Sequence, residues 1–456
     1  MNSSADVIVC GAGIAGISAA YHLSVKHGMK NILLIDDRPP LSLTSDKSTE
    51  CYRNWWPGPG DAMVALMNRS IDLMEELARQ SNNIFHLNRR GYLYLTADPA
   101  NLGKFVNAAS EPPTLGAGDL RVHQGKAGDP EYQPAPAEGF ENQPTGADLI
   151  LEPRLIRKHF PYLSDKVIAA LHVRRAGWFS AQQLGTYLLD QARSHGVRLH
   201  NAQVTRVETV SGRVNSVILN TGEKLATRNF INASGPMLKN VASLIGIELP
   251  IYCELHLKVA FKDTLGVILR DAPLLIWTDS QFLPWSPEEE SILFKDESLH
   301  WLLENMPSGV HTRPEGSANS EILLMLWEYQ QHKTDPVFPP PLDDQYPDIV
   351  LRGLATMIPG LKAYFNRAPR PVLDGGYYTK TLENRPLIGP LRVDGAFVIG
   401  ALSGYGLMAA CAAGELLAAH LTGDALPPYA PAFTLDRYLD PTYQQQISNW
   451  KDSGQL

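Results

Sequence analysis

The sequence predicts an α/β chain, α+β overall, in which a doubly wound half is interleaved with an antiparallel-sheet half. Three observations predict it. A strand–turn–helix–strand unit opens the chain between Asp6 and Asp37. From Leu249 to about Ala368 the pattern changes to aromatic and β-branched runs separated by proline-rich loops, which reads as an antiparallel sheet. After Gly375 the opening theme returns, with a strand at Ala396–Ile399 leading through glycines into a helix over Met408–Leu421.

In the opening unit Val7-Ile8-Val9 is a β-branched run, and Gly11, Gly13 and Gly16 follow in GxGxxG spacing. A small-residue helix then runs through Leu23, and a second apolar run, Ile32–Ile35, ends on Asp36. Gly11 permits the tight turn, Gly13 lets the backbone approach a pyrophosphate, and Gly16 lets helix and strand pack closely. The helix start around Ile14 and Ala15 offers free N–H groups and the positive dipole end to phosphates. Asp36, twenty residues beyond Gly16 and followed by Asp37, places a carboxylate where ribose hydroxyls donate. The same charge would repel a 2′-phosphate, which disfavours NADP. This is a Rossmann-type dinucleotide site; the motif alone does not separate FAD from NAD.

After Pro39-Pro40 comes a polar loop containing Ser45, Ser48, Thr49, Arg53, Trp55 and Trp56. Either the tryptophans plug a surface gap while Arg53 pairs with a carboxylate, or the loop covers a cofactor and substrate. Asp61 is read as the cap of a helix whose Met63, Leu66, Met67, Ile71, Met74 and Leu77 keep helical spacing. Tyr92–Leu95, bounded by Gly91 and Asp98-Pro99, reads as a strand. Pro112–Gly146 is rich in Pro, Gly, Ala and Glu without periodicity and reads as a long surface excursion. Leu184–Ser194 is an amphipathic helix ended by His195-Gly196, and Val197–Leu199 a strand. Val204–Val210 and Val214–Leu219 form a hairpin around Ser211-Gly212. A strand at Phe230–Asn232 ends in Ala233-Ser234-Gly235 and a helix over Met237–Ile245, closed by Gly246. His256 and Lys258 alternate with apolar residues and so share one face, toward solvent or toward a site. Trp327 and Tyr329 likewise share a face, with core the plainer reading.

A chain of 456 residues is long enough for two domains with ample core. Its net charge of −8 argues against nucleic-acid or anionic-membrane binding, because there is no basic surplus to neutralise phosphates. Cys10, Cys51, Cys253 and Cys411 are scattered without a CxxC pair, which reads as a reducing compartment with no disulfide framework and no metal site. Ala396–Gly414 carries no charge over 19 residues but is rich in Gly and Ala and broken at Ser403-Gly404-Tyr405-Gly406. It reads as a buried strand–turn–helix and not a membrane span. The first strand begins by Asp6, leaving no room for a signal peptide, so a cytoplasmic location is expected.

Four stretches, DVIVCGAGIAGISAAYHL, GWFSAQQLGTYLLDQARSHGVRL, FINASGP and TLENRPLIGPLRVDGAFVIGALSGYGL, in this order resemble the D-amino acid oxidase superfamily of FAD enzymes, which includes sarcosine and glycine oxidases. The resemblance implies a discontinuous, glutathione-reductase-like FAD-binding domain over residues 1–82, 152–248 and 370–436. It implies a substrate domain over 83–151 and 249–369, with 437–456 as a tail. It places Gly400, Ser403, Gly404, Tyr405, Gly406, Leu407 and Met408 against the flavin's pyrimidine end. It also places the backbone of Val207 beside the adenine, Ala233-Ser234-Gly235 beside the pyrophosphate, and Ser45, Ser48 and Thr49 along the cofactor.

The departures from that family matter as much. Gly376 stands where sarcosine oxidases carry a flavin-linking cysteine, and no histidine lies between Lys30 and Trp56, so FAD is expected to bind non-covalently. Arg53 matches the arginine that holds a substrate carboxylate, whereas Met408 stands at the partnering lysine. The implied reaction is oxidation of a C–N bond of an amine or amino acid, secondary or N-alkylated, to an imine by hydride transfer to flavin N5. The partners expected are that small-molecule substrate and molecular oxygen as electron acceptor. The alternatives are a dehydrogenase serving a quinone or protein acceptor, or a tailoring enzyme acting on a natural product. Arg53, Tyr378, His256 and Lys258 are the candidate catalytic residues.

Overall fold

The computed structural model describes residues 4–317, 319–448 and 450. The chain begins with β1 (Val7–Cys10), α1 (Ile14–Tyr21), β2 (Ile32–Asp36), α2 (Thr44–Lys47), β3 (Cys51–Arg53), α3 (Ala62–Gln80), β4 (Tyr92–Thr96) and α4 (Leu102–Thr114). It continues through β5 (Leu120–His123), β6 (Ala147–Ile150), α5 (Pro153–His159), β7 (Ala169–Val173), β8 (Ala176–Trp178) and α6 (Ala181–Ser194). Next come β9 (Arg198–Asn201), β10 (Val204–Val210), β11 (Arg213–Leu219), β12 (Lys224–Ala226), β13 (Phe230–Asn232) and α7 (Leu238–Ser243). The middle holds β14 (Ile251–Lys262), β15 (Leu274–Trp277), α8 (Pro287–Leu293), β16 (His311–Glu315), β17 (Ile322–Leu326), β18 (Lys333–Thr334) and α9 (Tyr346–Met357). The last elements are β19 (Val372–Thr381), β20 (Leu387–Pro390), β21 (Ala396–Gly400), α10 (Gly406–Thr422) and α11 (Pro441–Ser448).

The Rossmann-type half is a six-stranded sheet in the order β20-β21-β13-β1-β2-β9. It is parallel from β21 to β9, with β20 antiparallel at the edge. β1 is wholly buried, as a strand covered on both faces must be. α1 and α10 cross closely because both are made of small residues: a Cβ on Gly414 would lie 2.3 Å from Ser18 Oγ, which donates to the Ala410 carbonyl at 2.7 Å. α1 runs past Tyr21 through a π-helical turn over His22–Lys26. The hairpin turn between β10 and β11 puts Ser211 and Gly212 in the left-handed region, as a two-residue hairpin requires.

The second half is a ten-stranded sheet ordered β18-β14-β17-β16-β15-β4-β7-β6-β5, with β19 also paired to β14. Most of its pairings are antiparallel, as expected. Two pairings are parallel: β15 with β4, which come from distant parts of the chain, and β5 with β6, which the irregular stretch 124–146 joins as a crossover. β7 and β19, which lie in the segments 152–248 and 370–436, belong to this sheet. One face packs on a core that includes Leu93, Leu95, Val259, Phe261, Leu275 and Met325. Alternation turns His256 and Lys258 of β14 to the opposite face, with Tyr378 of β19 directly across from Glu254. That face looks toward α2 and the glycine motifs, so the reading of His256 and Lys258 as solvent-facing is set aside.

Three further differences have local causes. Asp61 sits at the N-cap of α3 but its side chain makes no capping bond. The excursion at 112–146 opens with the end of α4 and with β5. Its irregular remainder is fastened by side chains to its carbonyls: Arg174 to Gln133 at 2.7 Å, Arg121 to Thr145 at 2.8 Å, His123 to Pro130 at 3.0 Å and Arg89 to Pro144 at 3.1 Å. Such bonds satisfy backbone groups that no ladder reaches. Finally, β17 stops at Leu326, leaving Trp327 in the core and Tyr329 half-buried. Among the described residues, no helix is long and apolar enough to cross a membrane.

Candidate cofactor and substrate site

A cavity of about 480 Å³ lies over the C-terminal ends of β1 and β2, lined by Gly11, Gly13, Asp36, Asp37, Ser45, Ala233, Ser234 and Gly235 among others. This is where a parallel α/β sheet binds ligands. The motif glycines are dictated by contact distance. A Cβ on Gly11 (φ +111°) would lie 2.4 Å from the Ala233 carbonyl oxygen, and one on Gly16 only 1.9 Å from that of Gly11. Gly16 itself does not line the cavity; it closes helix onto strand. Asp36 accepts from the Ala12 N–H at 2.7 Å and the Arg38 N–H at 2.9 Å, and burial raises its pKa. Ser45 Oγ accepts from the Ile14 N–H at 3.0 Å, bracing the first turn of α1. At the far end Gln203, Val204 and Thr205 line the wall, while Val207 is buried further along β10 and does not.

The cavity continues into a smaller recess lined by Ile14, Ala15, Ser48, Tyr378, Gly400, Ser403, Gly404, Gly406 and Leu407. Gly13, Thr44, Ser45, Ala233, Gly235 and Pro236 border both parts, so one path runs from Asp36 to the start of α10. Ala401 and Ser403 hold φ values of 52° and 46°, the strained turn that swings α10 toward the recess. Neither N-cap residue, Gly13 of α1 or Tyr405 of α10, caps its helix with a side chain; beyond the Ile14 N–H that Ser45 takes, first-turn N–H groups are left for a ligand. These features fit FAD: diphosphate between two glycine turns, adenosine toward Asp36, ring toward α10. Tyr405 and Met408 lie outside the recess. Tyr405 donates to the Asn384 carbonyl at 3.0 Å and packs edge-on against Trp56, and Met408 joins the core.

Tyr378 is the candidate catalytic residue that reaches the recess. Its ring stacks on His256 at 3.9 Å and 16°. His256 stands between two carboxylates, Glu254 at 3.2 Å and Glu328 at 3.0 Å, and Lys380 reaches Glu254 at 2.9 Å. Burial by itself would push the imidazole pKa down; the Glu328 charge and the hydrogen bonds the imidazole donates to both carboxylates outweigh it and raise it. Burial likewise opposes ionisation of Glu328, yet the His256 charge holds its pKa down at about 2.

The other two candidates do different work. Lys258 donates to the carbonyls of Ser48 at 3.0 Å and Asp46 at 3.3 Å, and burial lowers its pKa. It is a strut under the cofactor loop, as is Arg313, which forks onto the Thr49 carbonyl at 2.8 and 2.6 Å. Arg53 donates to the Trp55 carbonyl at 2.6 Å, lies over the Trp56 ring at 4.4 Å and lines a separate cavity. Sequence reasoning missed Glu254, Glu328, Lys380 and Arg313. Glu254 was within reach, since it shares the Glu-Leu-His-Leu-Lys alternation. Glu328 and Arg313 had no such signal. Among the described residues no group of three or more His, Cys, Asp or Glu is placed to hold a metal ion.

Comparison with known proteins adds to this geometry. The model of the DAO family, described as FAD dependent oxidoreductase, matches residues 6–420. Mitochondrial dimethylglycine dehydrogenase from Rattus norvegicus is 24% identical over 275 residues, covering 59% of this chain and 28% of that protein. The Mus musculus protein is 23% identical over 420 residues, covering 91% and 42%. The chain therefore spans less than half the length of these curated relatives. Among solved structures, L-proline dehydrogenase from P. horikoshii superposes with a TM-score of 0.73 at 20% identity, over 96% of this chain and 99% of that one. Glycine oxidase from Geobacillus kaustophilus gives 0.70 at 16%, over 95% and 98%.

Proposed function

The chain belongs to the DAO family of FAD-dependent oxidoreductases, and we propose that it oxidises a C–N bond of an amine or amino acid, secondary or N-alkylated, to an imine that water hydrolyses. The observation that carries this reading is the sheet face on which Tyr378 borders the cofactor recess while resting on the Glu254–His256–Glu328 cluster. Bound FAD supplies the two-electron acceptor.

The chain's own residues supply the rest. Gly13, Ser45 and Ala233 to Gly235 would hold the diphosphate without a covalent link. The start of α10 at Gly404, Gly406 and Leu407 would face the pyrimidine end, where a helix N-terminus favours negative charge. Tyr378 walls the site, and His256 holds a proton behind it. This chemistry needs an aligned C–H, a neutral amine and a dry wall more than a strong base. The relatives support the substrate class, being named for dimethylglycine, L-proline and glycine. We assign Arg53 to a substrate carboxylate, as the family resemblance implies, in a bidentate pair.

The test is anaerobic titration of the purified yellow protein with N,N-dimethylglycine, N-methylglycine, L-proline and glycine. Bleaching of the flavin by one or more of them is expected. Admission of air should then restore the oxidised spectrum, as molecular oxygen is the proposed acceptor; restoration only by a quinone would assign a dehydrogenase. A panel of primary, secondary and tertiary amines that leaves the flavin oxidised overturns the substrate class.

A further inference from the structure

The loop that follows β18, residues 335–341 with the sequence DPVFPPP, belongs to the second half of the chain, yet it reaches the cofactor cavity. Phe338 lines that cavity together with Arg38, Thr44 and Asn240. The Arg38 guanidinium stands 4.7 Å from the centre of the Phe338 ring, so a residue just past the tip of β2 meets one from the loop. Arg38 is exposed and Phe338 half-buried although both line the cavity, which places their contact at its mouth.

The loop is fastened at both ends and in the middle. Upstream, β18 pairs with Cys253 and Glu254 of β14, and the Lys333 ammonium lies 4.3 Å over the Tyr252 ring. Downstream, Tyr346 at the start of α9 donates to the Leu257 carbonyl at 2.8 Å. Between them the buried Tyr377 hydroxyl accepts from the Val337 N–H at 3.0 Å and donates to the Val337 carbonyl at 3.1 Å. The Tyr377 ring meets Phe338 edge-on at 5.5 Å. Tyr377 itself borders the recess at the start of α10, and its carbonyl accepts at 2.9 Å from Thr44, which lines both parts of the cavity. The loop therefore touches the cofactor path directly through Phe338 and again through Tyr377. Four of its seven residues are proline, which restricts the unfolded chain and lowers the entropy lost in holding Phe338 at the mouth.

We propose that residues 335–341 are a strap that retains FAD: Phe338, steadied by Tyr377, closes the mouth of the cavity, and Arg38 latches it from the opposite rim. A cofactor held without a covalent link stays only as long as such contacts keep it, so FAD leaves when Phe338 and Arg38 part. Phe338 is a positioning residue and does not touch the reacting atoms. The strap requires FAD in the cavity and is independent of the amine reading, so a substrate screen that fails leaves it standing.

The test is the rate at which the FAD-loaded protein, on dilution, releases flavin, followed by the rise in flavin fluorescence. Phe338→Ala should release FAD about tenfold faster or more, because the loss of a contact appears mainly in dissociation. Phe338→Tyr should restore the slow rate, since the ring is kept. Val337→Ala, at a side chain that is 60% exposed, should release FAD as the unaltered protein does. Arg38→Met should also speed release, and adding it to Phe338→Ala should change little further, because both remove one contact. If Phe338→Ala purifies without flavin, Phe338→Leu takes its place in the same comparison. Release from the Phe338 variant at the unaltered rate, equal acceleration by Val337→Ala, or fully additive effects of Arg38→Met and Phe338→Ala would each overturn the strap.

Discussion

His256 stacks face to face on Tyr378 with ring centroids 3.9 Å apart, so a buried charge cluster leans directly on the wall of the recess at the start of α10. The cluster comes from three strands' worth of chain: Glu254 and His256 on β14, Lys380 on β19, and Glu328 just past β17, with His311 of β16 behind. The imidazolium is what balances the second carboxylate.

A pH dependence follows. The folded pKa of His256 is raised, so the stability it contributes is fully present below about 6.5, the free histidine value, and is lost as pH rises through the folded value. Glu328 is depressed to about 2, so its contribution is present above its ordinary value and lost only as pH falls toward 2. The flavin-reduction rate and the thermal midpoint should both decline on the alkaline side. His256→Phe, which keeps a ring on Tyr378 without the charge, should flatten that limb in both profiles. An unchanged alkaline limb in the variant would remove His256 from this role.

Arg313 should be far more important to the site than its distance from the glycine motifs suggests. It is fully buried, forks onto the Thr49 carbonyl, and pairs with Glu50 and Glu315. Arg313→Met leaves those carboxylates without their cation and should cost about 3–5 kcal/mol in urea unfolding. Arg313→Lys should recover only part, because a single ammonium cannot fork. Loss below about 1 kcal/mol would mean the loop is held by Lys258 instead.

Gly16→Ala places a methyl 1.9 Å from the Gly11 carbonyl oxygen, backbone against backbone. The turn must open, so the protein should purify with little or no flavin, read from the ratio of visible to ultraviolet absorbance. A fully loaded Gly16→Ala protein would show that the glycine turn can shift without losing FAD.

Gly376→Cys restores the residue type that resemblance would put there, yet no covalent flavin should form. A Cβ at Gly376 would sit 2.9 Å from Lys47 Cβ and 3.1 Å from Lys47 Cγ, and Lys47 is pinned to Asp374 at 2.8 Å. Overpacking should cost about 1–3 kcal/mol. After acid precipitation all the yellow colour should stay in the supernatant; colour in the pellet would disprove the steric argument.

The glycine motifs, Asp36 and the two strand–turn–helix units were legible because each is a local solution: a turn, a helix start and a strand tip within a few residues. The strands of the second half were legible as strands, since β-branched and aromatic runs bounded by prolines mark them. Their partners were not. Nothing near Tyr92 says that β4 will run parallel to β15, and nothing near Gly376 says that β19 will lie along β14. Pairing is chosen by burial across the whole sheet, and a shift of one residue would have turned His256 to the other side.

By itself, then, the sequence determined the dinucleotide-binding chemistry, through the spacing of Gly11, Gly13 and Gly16 and the carboxylate at Asp36. It also determined that no cysteine stands at Gly376. Tertiary structure alone decided that Tyr378 borders the recess at the start of α10, that Glu328 reaches His256 from a different strand, and that Arg53 belongs to the cavity under α4. The physical reason is separation. A phosphate-binding turn is made by neighbours in the chain, whereas the substrate wall is made by residues up to several hundred positions apart, brought to one sheet face by strand register.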